Sequence, residues 1–166
     1  MNKKLAKEIC NMAKKDQAMR KLALKTGKWN KKIDKLHTTK MKQIIKKYGW
    51  PTIFLVGKKA SNCAWLLVQH ADHDIAFQKK CLKLIEESYQ KDKKSINPSH
   101  IAYLTDRILF NEGKKQIFGT QFYFDQNKKL KLYSLKSTKN IDKLRKKYQL
   151  PPLKTYIKIA KNSQKK

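Results

Sequence analysis

Lysine runs along almost the whole of this chain, and three apolar-rich stretches are free of it: Gly49–Gly57 (GWPTIFLVG), Ala60–Gln78 (ASNCAWLLVQHADHDIAFQ) and Ile96–Glu112 (INPSHIAYLTDRILFNE). A cation is costly to bury without a partner, so these stretches are the natural centre of a core. They also carry the tightest polar clusters, Gln69-His70-Ala71-Asp72-His73-Asp74 and Asp106-Arg107. Acids and an imidazole set in a neutral interior, inside a cationic shell, suit an anionic ligand.

Hydrophobic residues make up 40% of the 166 positions and recur at helical spacing, which predicts a folded protein and not a disordered polycation. The length predicts one globular domain over residues 1–160, with 161–166 a basic flexible tail. Met1–Lys7 is basic but is followed by no apolar run of a leader peptide, and Ala64–Val68 is too short to span a bilayer. Cys10, Cys63 and Cys81 form no CxxC pair, which fits free thiols and a cytoplasmic location.

The formal net charge is +29, from 41 Lys and Arg against 12 Asp and Glu, and only Arg20, Arg107 and Arg145 are arginines. Drift in an AT-rich genome explains a preference for Lys over Arg but not the deficit of acids. A field of this size predicts a polyanion partner, nucleic acid or a phosphate-bearing ligand. Lysine supplies point charge, which favours steering over base reading. The competing reading is a solvated surface.

Leu5, Ile9, Met12, Ala13, Met19, Leu22 and Ala23 share a face of a helix over Lys4–Leu24, broken by Gly27. A second helix runs near Trp29–Tyr48, with a possible second cap at Thr38 and Gly49 past its end. Trp50-Pro51 is a stop and a turn. Ser61–Ala71 reads as a buried helix with Ser61 as N-cap, and Asp74–Tyr89 as a helix capped by Asp72 or Asp74. After a loop at Lys91–Ser95, Asn97 or Ser99 caps a helix through Ile101–Phe110, with Pro98 in its first turn and Gly113 at its end. Gln116–Phe124 and Leu130–Leu135 flank the turn Asp125-Gln126-Asn127 and predict a β-hairpin. Ile141–Tyr148 is a short helix, Pro151-Pro152 a break, and Lys154–Ala160 a last helical turn. The fold class expected is mainly α, a single-domain helical bundle with a small C-terminal β-hairpin (α+β).

His70 falls where one helix ends and the next begins, and an imidazole titrates near neutrality. It is the candidate acid–base group, with Asp72 as the orienting or assisting carboxylate. The structural alternative makes Asp72 and Asp74 helix caps and His70 a satisfied helix-end residue. Asp106-Arg107 lies inside an apolar helix, where adjacent side chains point about 100° apart. Arg107 offers a fork for a carboxylate or phosphate, or forms a structural pair with Asp106. Gly113-x-x-Gln116-x-x-Gly119-Thr120-Gln121 places amides beside flexible backbone, as ligand readers or as parts of a turn, and is not a P-loop. His37, His73-Asp74 and Asp106 reproduce the ligand order of HD-type metal phosphohydrolases, an order that four common residues reach easily by chance. Trp29, Trp50 and Trp65 read as core or core-edge residues. The Phe122-Tyr123-Phe124 run, interleaved with Lys, is either core or a stacking surface for bases.

As an ordered set, Asp16…Arg20, Gly49-Trp50-Pro51, Gly57, Ala64-Trp65, Gln69-His70-Ala71-Asp72, Phe77-Gln78, Ala102-Tyr103-Leu104-x-Asp106-Arg107 and Gly113-x-x-Gln116-x-x-Gly119-Thr120-Gln121 resemble a family of small bacterial domains of unknown function, from about Asp16 to about Tyr156. The resemblance implies that His70, Asp72, Gln78, Asp106, Arg107, Gln116 and Gln121 are shared polar positions. It implies no activity.

The reading that follows is a hydrolase or transferase acting on a phosphate-bearing substrate, a nucleotide or nucleic acid. His70, Asp72 and Asp106 are its candidate catalytic residues, and Gln69, Gln78, Arg107, Gln116 and Gln121 its substrate-binding ones. The alternatives are a non-catalytic nucleic-acid-binding protein using the lysine-rich surface, and a protein-interaction module with an acidic partner.

Overall fold

The computed structural model describes residues 1–163, which form eight helices and one hairpin. The chain is mainly α with a small β-hairpin towards its C-terminus. It divides into two compact units, Met1–Asn97 and Pro98–Lys166.

The first unit holds α1 (Lys3–Thr26), α2 (Lys31–Tyr48), α3 (Ile53–Val56), α4 (Lys58–Gln69) and α5 (Ile75–Lys91). Helix α4 touches the other four, most extensively α1. It can do so because its inner face is small and uncharged: Ala60, Ala64 and Val68 follow one another at four-residue spacing and are all buried. Against them α1 buries Leu5, Ile9, Met12 and Ala13, α2 buries Met41, Ile44 and Ile45, and α5 buries Phe77, Cys81 and Ile85. Burial of each large side chain contributes about 1.5–3 kcal/mol. Asn2, Asn30, Thr52 and Asp74 cap the N-termini of α1, α2, α3 and α5 through their side-chain oxygens. Gly27 and Gly49 follow α1 and α2 at φ of 70° and 72°, a conformation that favours glycine.

Several local expectations change. The four-residue α3, immediately after Trp50-Pro51, is too short for a periodicity argument to find. Helix α4 begins three residues before Ser61, because Gly57 (φ 82°) occupies its N-cap position; Ser61 is buried inside the helix with no bond to its hydroxyl. Thr38 makes no second cap: its hydroxyl donates to the Asp34 carbonyl one turn back. Asp74, and not Asp72, caps α5.

The second unit holds α6 (Ser99–Asn111), β1 (Phe122–Phe124), β2 (Leu130–Leu132), α7 (Ile141–Lys147) and α8 (Leu153–Ser163). Pro98 takes the N-cap position of α6, so neither Asn97 nor Ser99 is the cap there. The strands pair antiparallel with Tyr123 opposite Lys131, and Asp125 closes the turn by accepting the Asn127 and Lys129 amides. Ala102, Phe118 and Leu150 centre this unit's core, with Tyr103, Ile117, Leu144 and Tyr148 packed around them. Helix α8 is longer than predicted and takes in Lys161–Ser163 of the expected tail; residues 164–166 lie outside the described part. Among the described residues, no helix is long and apolar enough to cross a membrane.

Candidate functional site

Helix α4 ends at Gln69, which places His70 at its C-cap. Its Nδ1 lies 2.8 Å from Oδ2 of Asp16, a carboxylate in the middle of α1 whose side chain is 1% exposed. One turn along α1, Arg20 donates from Nε to both Asp16 oxygens at 3.2 Å, and from Nη2 to Asp34 Oδ1 at 2.8 Å. Asp34, in the first turn of α2, also accepts the Trp29 indole N–H at 2.9 Å. The Arg20 guanidinium lies over the Trp29 ring, 4.8 Å from its centroid. Each side chain in the series His70, Asp16, Arg20, Asp34 is thus tied to the next by a hydrogen bond.

Burial by itself would raise the Asp16 pKa. The hydrogen bonds and charges of His70 and Arg20 outweigh that and bring it down to about 2. Asp16 is therefore a carboxylate throughout the neutral range. A fixed acceptor on Nδ1 selects the tautomer that leaves Nε2 for a ligand. His70 is 18% exposed and lines a cavity of about 290 Å³ together with Arg20, Trp29 and Asp34. Lys31, Lys35, Asp72 and His73 complete its wall. An imidazole backed by a buried carboxylate, with Arg20, Lys31 and Lys35 among the lining side chains, is an arrangement that can hold an anion and move a proton beside it.

Of the sequence-predicted residues, His70 and Asp72 share this cavity. Gln78 is fully buried on α5 and donates to the Val68 and Gln69 carbonyls, both at 3.2 Å, and to Asp72 at 3.4 Å. It thus adds a side-chain donor to the last carbonyls of α4 and fixes the turn that carries His70. Gln69 joins this arrangement through its backbone. The carboxylate on the imidazole is that of Asp16, while Asp72 stands at the cavity wall. Sequence reasoning passed over Asp16, Arg20, Asp34 and Trp29 as site residues. The available signal was Asp16…Arg20 at helical spacing, with an arginine retained among lysines.

Asp106, Arg107, Gln116 and Gln121 belong to the second unit. The buried Asp106 carboxylate accepts the amides of Ile117, Phe118 and Thr120 and the Thr120 hydroxyl, at 2.8–3.2 Å. Three amides of one short segment thus wrap this carboxylate as they would an anion in a nest. Burial raises its pKa, and the Phe118, Ile117 and Thr120 hydrogen bonds oppose the rise. Gln116 donates to the Gln121 and Tyr133 carbonyls and accepts the Gln121 amide. Arg107 donates to the Gln121 side chain at 3.2 Å. From the far side the buried Arg145 donates to the Phe118, Gly119 and Pro151 carbonyls. Among the described residues no three His, Cys, Asp or Glu side chains gather as a metal-ligand set, so the HD-type order forms no such centre. Asp74 is instead a cap and pairs with Lys42 at 2.6 Å.

Fold and site together define a mainly α protein with an aspartate–histidine pair at a cavity lined by basic and acidic side chains. The chain belongs to the family of unknown function DUF6624, whose model matches residues 3–165. No curated protein and no solved structure matches it.

Proposed function

We propose that the protein is a hydrolase or transferase for a phosphate-bearing substrate, with its acid–base centre at His70. The observation that carries this reading is the 2.8 Å contact between His70 Nδ1 and the buried Asp16 carboxylate, behind a cavity with Lys31 and Lys35 in its wall. His70 Nε2 takes a proton from water, or from an acceptor hydroxyl, as that oxygen bonds to phosphorus. The bond from phosphorus to the leaving oxygen breaks, and the imidazolium returns the proton to that oxygen. Asp16 holds the ring and stabilises the imidazolium, Lys31 and Lys35 bind the anion, and Asp72 is the assisting carboxylate. Gln78 is a positioning residue through the turn it fixes. Asp106, Arg107, Gln116 and Gln121 serve as the framework of the second unit.

The test is turnover of p-nitrophenyl phosphate, its bis-ester, DNA and RNA, with and without divalent metal, for wild type and His70→Ala. Turnover lost at least a hundredfold in a folded variant supports the assignment. Turnover retained in the variant, or absent from wild type, sinks it.

One observation favours a second reading, non-catalytic nucleic-acid binding. On the hairpin Tyr123 and Phe124 are exposed, and Tyr123 pairs across the strands with Lys131. Base stacking and phosphate contact are possible on such a surface. It predicts salt-steep oligonucleotide binding that Tyr123→Ala weakens and His70→Ala leaves unchanged.

A further inference from the structure

Trp29 reads from the sequence as a core or core-edge residue, yet 47% of its surface is exposed. It is nevertheless held on two sides. The indole N–H is tied to Asp34 at 2.9 Å, and one face carries the Arg20 guanidinium, itself fixed by Asp16 and Asp34. An exposed ring anchored at an edge and a face is a preorganised flat surface, and binding to it costs little side-chain ordering. This ring lines the same cavity as His70. Lys31 and Lys35, one helical turn apart on α2, line it too. The volume, about 290 Å³, is at the small end for a ligand pocket, the size for one compact ligand and not for a strand.

We propose that the cavity takes a nucleotide, its base stacked on Trp29 and its phosphate on Lys31 and Lys35, within reach of His70. This rests on the phosphate reading above and adds a specificity-determining residue to it. A sugar phosphate uses the cations alone, whereas a nucleotide uses the cations and the indole. Stacking is tolerant of base identity, since every base has a π face. The nucleotide can be free or the 5′-terminal unit of a strand; both offer the same base and phosphate.

The experiment is calorimetric titration at low salt with adenosine 5′-monophosphate, ribose 5-phosphate, inorganic phosphate and a 5′-phosphorylated oligothymidylate. Wild type is expected to bind the mononucleotide about tenfold or more tighter than ribose 5-phosphate. Trp29→Ala should bring the two together, and Trp29→Phe should keep part of the difference, with folding checked by circular dichroism. If Trp29→Ala does not fold, the wild-type ratio decides alone. Equal binding of mononucleotide and sugar phosphate in wild type overturns the base platform and leaves the phosphate reading standing. Failure of all four ligands to bind overturns both. Oligonucleotide binding without mononucleotide binding overturns the nucleotide cavity and assigns the affinity to a strand-binding surface elsewhere.

Discussion

His70 Nδ1 and Asp16 Oδ2 are 2.8 Å apart although 54 positions separate the two residues in the chain. The contact exists because the small inner face of α4 lets α1 approach along its length, and because α4 stops one residue short of His70. Had α4 continued, the imidazole would sit on a regular helical turn, where its direction is set by the helix and not by Asp16.

Asp16 makes acid stability a direct probe of this pair. Its folded pKa, about 2, is below the ordinary 3.8, so the unfolded chain takes up the proton first as pH falls. The contribution is complete above about pH 4 and disappears towards pH 2; at roughly 1.4 kcal/mol per unit it amounts to about 2 kcal/mol. Urea unfolding at pH 7, 4 and 2 should show Asp16→Asn less stable at neutrality and lacking this part of the acid limb. Curves that fall in parallel for the two proteins would refute it.

Arg20 bridges two carboxylates and covers an indole, which a lysine cannot do at once. Arg20→Lys should cost about 1–3 kcal/mol by loss of charged hydrogen bonds. It should also free Trp29. A fall in Trp29 fluorescence anisotropy, measured in a background with Trp50 and Trp65 replaced by Phe, checks the second effect; unchanged anisotropy would mean that Asp34 alone fixes the ring.

Asp106→Asn keeps the shape of the side chain but replaces one acceptor oxygen by a donor facing amide and hydroxyl hydrogens. Three backbone amides and the Thr120 hydroxyl share this buried carboxylate, so the loss should be about 3–5 kcal/mol. Asp106→Ala should be at least as severe. An unfolding free energy within about 1 kcal/mol of wild type would show the nest to be dispensable.

What could be read in advance follows from the range of each interaction. Helix ends are local, so Gly27 and Gly49 announce themselves, whereas Asp72 and Asp74 are both cap-type residues and the fold chooses Asp74. Ser61 misled because a cap-type residue is also small enough to be buried inside a helix. The turn carrying His70 was legible, since Gln69 to Asp74 gathers polar groups between apolar segments. Its orienting carboxylate was not: Asp72 is two positions away, and the Asp16…Arg20 spacing on α1 marks an ion pair without saying that it meets His70. Arg145 shows the same limit. It stands in a basic Arg-Lys-Lys run that reads as solvated surface, yet it is fully buried by carbonyls of Phe118, Gly119 and Pro151 that only the folded loop supplies.

His100 is a buried imidazole in α6 whose pKa is lowered by burial from 6.5 to about 4. The sign is that of a group held neutral. As pH falls below about 6.5 the unfolded chain binds a proton that the folded protein refuses, so stability declines until about pH 4, where the folded form also protonates. The interval corresponds to about 3 kcal/mol at roughly 1.4 kcal/mol per unit. His37, also lowered by burial, adds to the same limb with the same sign. The Asp16 window begins where this one ends, so the two groups separate along one pH series. His100→Gln should flatten the decline between pH 6.5 and 4 and leave the fall below pH 4 in place. A wild-type stability constant from pH 6.5 to 4 would mean that His100 titrates in the folded protein as it does in the unfolded chain.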